Sequence, residues 1–315
     1  VQRRFQKVVE VAPSPHLKQE TRQAIFDYAI KIAKHVNYNN VGTVEFLVDK
    51  QGDVFFIEVN PRVQVEHTIT EEITGIDIVR SQILIAQGHP LSSKGIYLRS
   101  QKDVVVNGFA IQCRVTTEDP LQDFKPDYGT IIAYRNAAGF GIRLDEGSTY
   151  PGMRISPFFD SMLVKISSSG RTLKGACERL QRTLTEFRIR GVKTNIGFLK
   201  NVITHPVFIA GDCTVNFIPT HPELFKMART QDRGTKTLKY LANVSVNGNS
   251  DVKFIDPNKT FITPTVPSFD KYAVFPKGTK DILTELGPEG FAGWLKKEKQ
   301  VHFTDTTFRD AHQSL

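Results

Sequence analysis

A chain of 315 residues with 40% apolar and 23% charged side chains has material for a buried core and a solvated surface, the composition of an ordinary soluble globular protein of one large domain or two to three smaller ones. No apolar run approaches the length of a membrane span, so no membrane partner is expected. The net charge of +8 favours anionic ligands such as nucleotides, bicarbonate and acidic metabolites, but the Lys and Arg residues are scattered without aromatic interleaving, which argues against nucleic acid.

In chain order, Gln6 to Val11 alternates as a strand and Pro13 and Pro15 end it. Lys18 to Val36 repeats Ala24, Ile25, Tyr28, Ala29, Ile32 and Ala33 at helical spacing. Gly42 to Asp49 and the run from Phe56 read as two strands of a hairpin joined by Lys50-Gln51-Gly52-Asp53. Thr70 to Gln87 reads as one helix, with Gly75 as a mild penalty inside it and Gly88 as its stop. Gly108 to Glu118 is a strand, and Thr130 to Arg135 and Gly141 to Asp145 continue an antiparallel pattern. Asp160 to Ile166 is a further strand. Thr172 to Arg190 is read as a helix whose last turn carries Arg188 and Arg190, and Asn195 to Thr204 as a short helix. Leu238 to Val246 reads as a strand, Asn247 to Lys277 as an extended linker, Thr279 to Lys299 as a helix interrupted at Gly287-Pro288, and Val301 onward as a strand. Cys113, Cys177 and Cys213 lie far apart and form no CxxC, as expected of reduced core thiols in the cytoplasm. The start, Val1-Gln2-Arg3-Arg4, has neither an initiator Met nor an apolar leader, so the sequence reads as a piece of a longer chain.

One stretch carries chemistry. In Phe56-Ile57-Glu58-Val59-Asn60-Pro61-Arg62-Val63-Gln64-Val65-Glu66-His67, a period of two sends Glu58, Asn60, Arg62, Gln64 and Glu66 to one face, with Pro61 and the coming helix expected to bend it. Matching Val44, Phe46 and Val48 to Val59, Ile57 and Phe55 sets Glu45 opposite Glu58. Two facing carboxylates repel, and a hard cation such as Mg²⁺ turns that cost into a ligand pair. Gln112 and Arg114 share one face of their strand, and an Arg in the middle of an apolar strand needs an anion beside it.

The segments Gln2 to Glu10, Glu58 to His67, Thr70 to Asp77, Cys113-Arg114 and Gly139 to Arg143 together resemble, in the same order, the biotin carboxylase family of ATP-grasp enzymes. The tail Thr304-Asp305-Thr306-Thr307-Phe308-Arg309-Asp310-Ala311-His312-Gln313 resembles the opening of the carboxyltransferase barrel in the pyruvate carboxylase family. Gln231-Asp232-Arg233, Thr279-Lys280-Asp281 and Leu286-Gly287-Pro288 are similar to that family's allosteric linker. The resemblance implies an α/β fold: the C-terminal part of an ATP-grasp biotin carboxylase domain over 1–225, a mixed α/β allosteric and tetramerisation region over 226–300, and the first strand of a TIM-type (β/α)₈ barrel over 301–315.

It also implies roles. Glu45, Glu58 and Asn60 would hold Mg²⁺, with Mn²⁺ as a substitute, on ATP; Gln2 and Leu47 would contact the nucleotide. Arg62, Gln64 and the Val65 backbone would bind bicarbonate, Glu66 would be its general base, Lys7 would contact bicarbonate or phosphate, and Arg114 would face the biotin enolate. Phe5 departs from a family His, which removes one ring contact to the nucleotide. Arg143 would lie at a dimer interface, and Arg188, Arg190 and Arg233 at an acetyl-CoA effector site, where Thr230 departs from a family Arg. Asp310 would bind the carboxyltransferase metal, Mn²⁺ or Zn²⁺, while Arg309 and Gln313 would handle pyruvate. The implied enzyme is a homotetramer making oxaloacetate from pyruvate, bicarbonate and ATP, in the cytoplasm or, in a eukaryote, the mitochondrial matrix. The alternatives are an acyl-CoA carboxylase of the same type and a non-catalytic regulatory or assembly fragment.

Overall fold

The pleat of a nine-residue strand organises the better-buried part of the molecule. The computed structural model describes residues 1–147, 149–227, 233–248, 268, 270, 272–274 and 276–309. It begins with a small hairpin, β1 (Gln2–Arg3) and β2 (Gln6–Lys7), whose turn holds Arg4 and Phe5 at positive φ, and continues into β3 (Val9–Ala12). Next come α1 (Gln19–His35), the hairpin β4 (Thr43–Val48) and β5 (Val54–Asn60), then α2 (His67–Thr74) and α3 (Ile78–Ala86). The strands β6 (Phe109–Thr116), β7 (Glu118–Asp119), β8 (Lys125–Pro126), β9 (Ala133–Arg135), β10 (Ile142–Glu146) and β11 (Met162–Gly170) follow. The chain then runs through α4 (Leu173–Glu186), β12 (Arg188–Arg190), α5 (Ile196–Thr204), α6 (Pro206–Ala210), α7 (Phe217–Thr220), α8 (Arg233–Asn247) and α9 (Thr279–Lys297). No described helix is long and apolar enough to cross a membrane.

The central sheet is antiparallel in the order β10-β11-β6-β3. Its register sorts the side chains by parity. One set of rungs joins Val9, Cys113, Ile166 and Leu144; the next joins Glu10, Gln112, Ser167 and Arg143; a third sets Arg114 beside Lys165 and Asp145. The apolar rungs pack against Ala176, Cys177, Leu180 and Leu184 of α4, which in turn meets Phe198, Leu199, Val202 and Ile203 of α5. Phe198 is fully buried, edge-on to Phe124 with ring centroids 5.0 Å apart. On the polar face, Ile69 and Ile73 of α2 cover Ala110 and Ala12, and the rest of that face is left to charged groups. The sheet therefore has an oily side that holds the fold and a polar side that holds a site.

Several expected elements differ. The run after Phe56 stays extended only to Asn60, because Pro61 cannot donate to a ladder; Glu66 ends up as the N-cap of α2. Glu45 does face Glu58, but a bulge after Glu45 pairs Phe46 with Phe56 and Val48 with Val54 rather than with Ile57 and Phe55. The helix read over Thr70 to Gln87 is two, since Gly75 takes a left-handed conformation (φ 69°) as a C-cap and Asp77 caps α3 by accepting from the Arg80 N–H. Helix α4 stops at Glu186, and Arg188 and Arg190 lie on β12, not in its last turn. Strand β12 takes β9 as its partner, so β9 does not continue toward β10. Leu238 to Val246 is helical within α8 rather than a strand. Residues 301–306 are irregular and 307–309 helical, so no strand forms there; Asp310 to Leu315 and most of the expected linker lie outside the described residues. The interruption of α9 at Gly287 (φ 68°, ψ 175°) is as expected.

Candidate active site

The polar face of the sheet meets the segment 60–67 in a cavity of about 690 Å³, of a size that holds a small ligand. Each functional group reaches it from a different local rule. Strand parity brings Arg114 up from β6, with Lys165 of β11 beside it behind the lining; the β1–β2 hairpin delivers Lys7; the β4–β5 ladder delivers Glu45 and Glu58; and the helix start at α2 fixes Glu66.

Glu66 is the meeting point. Its Oε1 accepts from Lys7 Nζ and its Oε2 from Arg114 Nη2 at 3.2 Å. Lys7 also donates to Glu45 Oε1 at 3.0 Å. Burial alone would pull the Lys7 ammonium down, but the bonds to Glu66 and Glu45 outweigh it and leave its pKa raised. Burial would push Glu45 up, but the Gln64 amide at 2.7 Å and Lys7 hold its carboxyl below the usual range. Asn60 Nδ2 lies 3.2 Å from Glu45 Oε1 and 2.7 Å from Glu58 Oε1, so the two carboxylates converge on one point. The two carboxylates, with Asn60 turned to present its amide oxygen in place of the nitrogen that now bridges them, would suit Mg²⁺, which supplies charge neutralisation to transferring phosphates when bound. Gln64 Oε1 is buried without a hydrogen-bond partner, an acceptor open to an incoming donor. Arg62 lines the cavity and bonds the Val63 carbonyl at 3.3 Å.

Two groups escaped the sequence reading. Glu10 is 8% exposed and supplies the anion that Arg114 requires: Arg114 Nε lies 2.8 Å from Glu10 Oε1, and Gln112 Nε2 donates to Oε2 at 3.1 Å. Burial raises the Glu10 pKa despite the Arg114 charge beside it. Lys165, its own pKa lowered by burial, donates to the Val65 carbonyl at 3.1 Å and so fixes the bend before Glu66. The signal for both was parity, since each sits directly across a rung from Gln112 or Arg114. Thr68 completes the join by donating to Gln112 Oε1.

Other expected site residues lie apart. Gln2 pairs with Lys7 across the hairpin, and Leu47 is half exposed on β4; neither lines the cavity. Phe5 projects, almost fully exposed, at the cavity rim. Arg143 bonds Glu71 Oε2 at 2.7 Å and Asp145 at 3.1 Å, tying α2 to β10. Arg188 donates to the Thr185 carbonyl at 2.8 Å while its buried Nε has no partner, and Arg190 is exposed. Arg233 opens α8, Arg309 lies in the helical stretch 307–309, and Gln313 and Asp310 fall outside the described residues.

Comparison with known proteins decides the family. The model described as the carbamoyl-phosphate synthase L chain ATP-binding domain matches residues 1–94, and the biotin carboxylase C-terminal domain matches residues 112–220. Over its full length the chain is 55% identical to pyruvate carboxylase of Staphylococcus aureus and 48% identical to the human mitochondrial enzyme, covering 27% and 26% of those sequences. The chain belongs to the pyruvate carboxylase family. A complete multifunctional pyruvate carboxylase from Rhizobium etli is similar with a TM-score of 0.75 at 50% identity, over 100% of this chain and 29% of that one. The biotin carboxylase subunit of a pyruvate carboxylase gives 0.68 at 42%, over 73% of this chain and 49% of that one. The architecture is a mixed α/β biotin carboxylase domain of ATP-grasp type, and the chain spans about a quarter of the length of the pyruvate carboxylases it matches.

Proposed function

We propose that this chain supplies the bicarbonate-activating half of a biotin carboxylase site within a longer enzyme that carboxylates pyruvate to oxaloacetate at the expense of ATP. The observation that carries the reading is the Glu66 carboxylate held between Lys7 and Arg114, next to the Glu45–Glu58 pair. Glu45, Glu58 and Asn60 would hold Mg²⁺ or Mn²⁺ on the ATP phosphates. Arg62, Gln64 and the Val65 backbone would seat bicarbonate, and Glu66 would take its proton so that the dianion can attack the γ-phosphate. Lys7 would follow the developing charge, and Arg114, fixed by Glu10, would hold the ureido oxygen of biotin. Gln2 and Leu47 would meet the nucleotide where the remainder of the domain closes over it.

The same proposal gives the rest of the chain its place. Residues 1–225 would be the C-terminal part of the biotin carboxylase domain, 226–300 the allosteric and tetramerisation region, and 301–315 the entry to the carboxyltransferase barrel. Asp310 would then bind the Mn²⁺ or Zn²⁺ of that barrel, with Arg309 and Gln313 on pyruvate. Arg143 would sit at a dimer interface of a homotetramer. Arg188, Arg190 and Arg233 would serve the acetyl-CoA effector; a Rhizobium etli pyruvate carboxylase has been solved with acetyl coenzyme A as allosteric activator. The location would be cytoplasmic in a bacterium and mitochondrial in a eukaryote.

A biotin carboxylase domain of a 2-oxoglutarate carboxylase, bound to bicarbonate, is 41% identical over 72% of this chain, so the acceptor must be tested directly. The full-length enzyme, given ATP and bicarbonate, should form oxaloacetate from pyruvate and leave 2-oxoglutarate and acyl-CoA substrates untouched. Turnover of an acyl-CoA or of 2-oxoglutarate in preference to pyruvate would overturn the assignment.

A further inference from the structure

Away from the cavity, at the corner where α6 and α7 close the core, His205, His221 and Glu223 place one donor atom each within 4.8 Å of one another. Among the described residues they are the one such group of metal-ligating side chains. The two histidines are half-buried and Glu223 is exposed, so the donors open to solvent on one side only. His205 Nε2 is already 3.1 Å from Glu223 Oε1, close to the roughly 3.3 Å that separates two ligands on a tetrahedral zinc with bonds of about 2.0–2.1 Å. The rings of His205 and His221 stand edge to face, with centroids 4.6 Å apart.

The hydrogen bonds behind the rings prepare one of them. His221 Nδ1 lies 2.8 Å from the Phe217 carbonyl, which can only accept; Nδ1 therefore carries the proton, and Nε2 presents its lone pair. A ring N–H anchored on a backbone carbonyl is the support that a metal-ligating histidine uses. His205 is arranged otherwise. Its Nδ1 accepts from the Val207 N–H at 3.3 Å, which puts its proton on Nε2, where it meets Glu223. Coordination must move that proton to Nδ1 and give up the long bond from Val207. This makes the site weak and pH-dependent rather than a permanent structural centre.

We propose that His205, His221 and Glu223 bind a borderline divalent transition ion, Zn²⁺ in preference to Mg²⁺, with solvent in the fourth position. Two imidazoles and one carboxylate favour that class over the hard ions of the nucleotide site. The bound ion would clip the start of α6 to the segment after α7 and so lock the buried Phe208, Phe217 and Leu224 beneath it. A fall in pH would release it, because protons compete for both imidazoles.

The test uses the full-length protein after chelation, titrated with Co²⁺ as a spectroscopic probe and then with Zn²⁺. Three variants are compared with it: His221→Gln; His205→Asn, which keeps a side-chain acceptor at the helix start; and Glu223→Gln at the exposed position. The wild type should bind one more equivalent than each variant and show the intense visible bands of low-coordinate Co²⁺, lost in all three and displaced by Zn²⁺. Equal stoichiometry and equal spectra in the wild type and the variants would overturn the proposal. None of the three residues lines the catalytic cavity, so bicarbonate-dependent ATP cleavage by the variants should match wild type. The metal count thus stands or falls independently of the biotin carboxylase reading.

Discussion

The region from β6 to Phe225 and the region from α1 to α3 obey the same sequence rules and end up in different physical states. In the first, α4 buries six residues and α5 four, so their apolar stripes are spent on a closed core. In the second, α1 and α3 bury none, and Phe55, Phe56 and Ile57 of β5 are 55%, 56% and 47% exposed. Tyr28 meets Phe46 with ring centroids 6.5 Å apart, but nothing covers the other side of the hairpin among the described residues. Periodicity marks which face wants burial; it does not say whether burial is achieved within the chain. The site lies where the two regions meet. Glu45, Glu58 and Glu66 come from the open one, Lys7 from the β1–β2 hairpin, and Glu10, Arg114 and Lys165 from the sheet; ion pairs line the seam at the cavity, while Ile69 and Ile73 of α2 pack on Ala110 and Ala12 beside it.

The largest contrast in stability follows from that difference. Phe198→Ala should cost about 3–5 kcal/mol, because it empties a fully buried site between Phe124 and Phe225. Phe56→Ala, on the half-exposed hairpin, should stay within about 0.5 kcal/mol. Urea unfolding midpoints of the two variants check the pair, and equal losses would mean the hairpin is packed as tightly as the core.

Glu10→Gln breaks the seam from the sheet side. It should cost about 1.5–3 kcal/mol by leaving Arg114 with no carboxylate beneath it, and it should weaken biotin carboxylation more than ATP binding. Burial already disfavours the ionised Glu10, so the loss should fall short of that for an ordinary buried ion pair. Unfolding midpoints and nucleotide titration measure the two effects separately.

The smallest effect is one of pH. Glu45 titrates below its ordinary value in the fold, so the folded state binds that proton less tightly than the unfolded chain does. Its contribution is complete above the ordinary carboxylate pKa and is lost as pH falls through the depressed value. The raised Lys7 contributes below its ordinary pKa and is lost as pH rises through the folded one. Glu45→Gln should therefore lower stability at neutral pH, leave stability below the depressed pKa nearly unchanged and so flatten the acid limb of a stability–pH curve; an unaltered acid limb would exclude Glu45 as its source.

Much of this was legible from residues. The facing of Glu45 and Glu58, the shared face of Gln112 and Arg114, the bend at Pro61 and the break at Gly287 all follow from strand parity or fixed backbone preferences. What failed depended on context. Gly75 reads as a tolerated defect until its positive φ and the Asp77 cap split the helix. Leu238 to Val246 is rich in residues that favour strands, yet no described strand pairs with it and it forms helix. Glu10 looked like an ordinary polar position because its partner lies 104 residues away. The bulge after Glu45 left no mark in the pattern of apolar residues.

The central claim is that Glu66, set between Lys7 and Arg114, takes the proton from bicarbonate. Biotin carboxylation by the full-length enzyme at saturating bicarbonate, compared between wild type and Glu66→Gln, tests it most directly. The account predicts a fall of about 10²–10⁴-fold in rate with nucleotide affinity retained; a rate near wild type would contradict it.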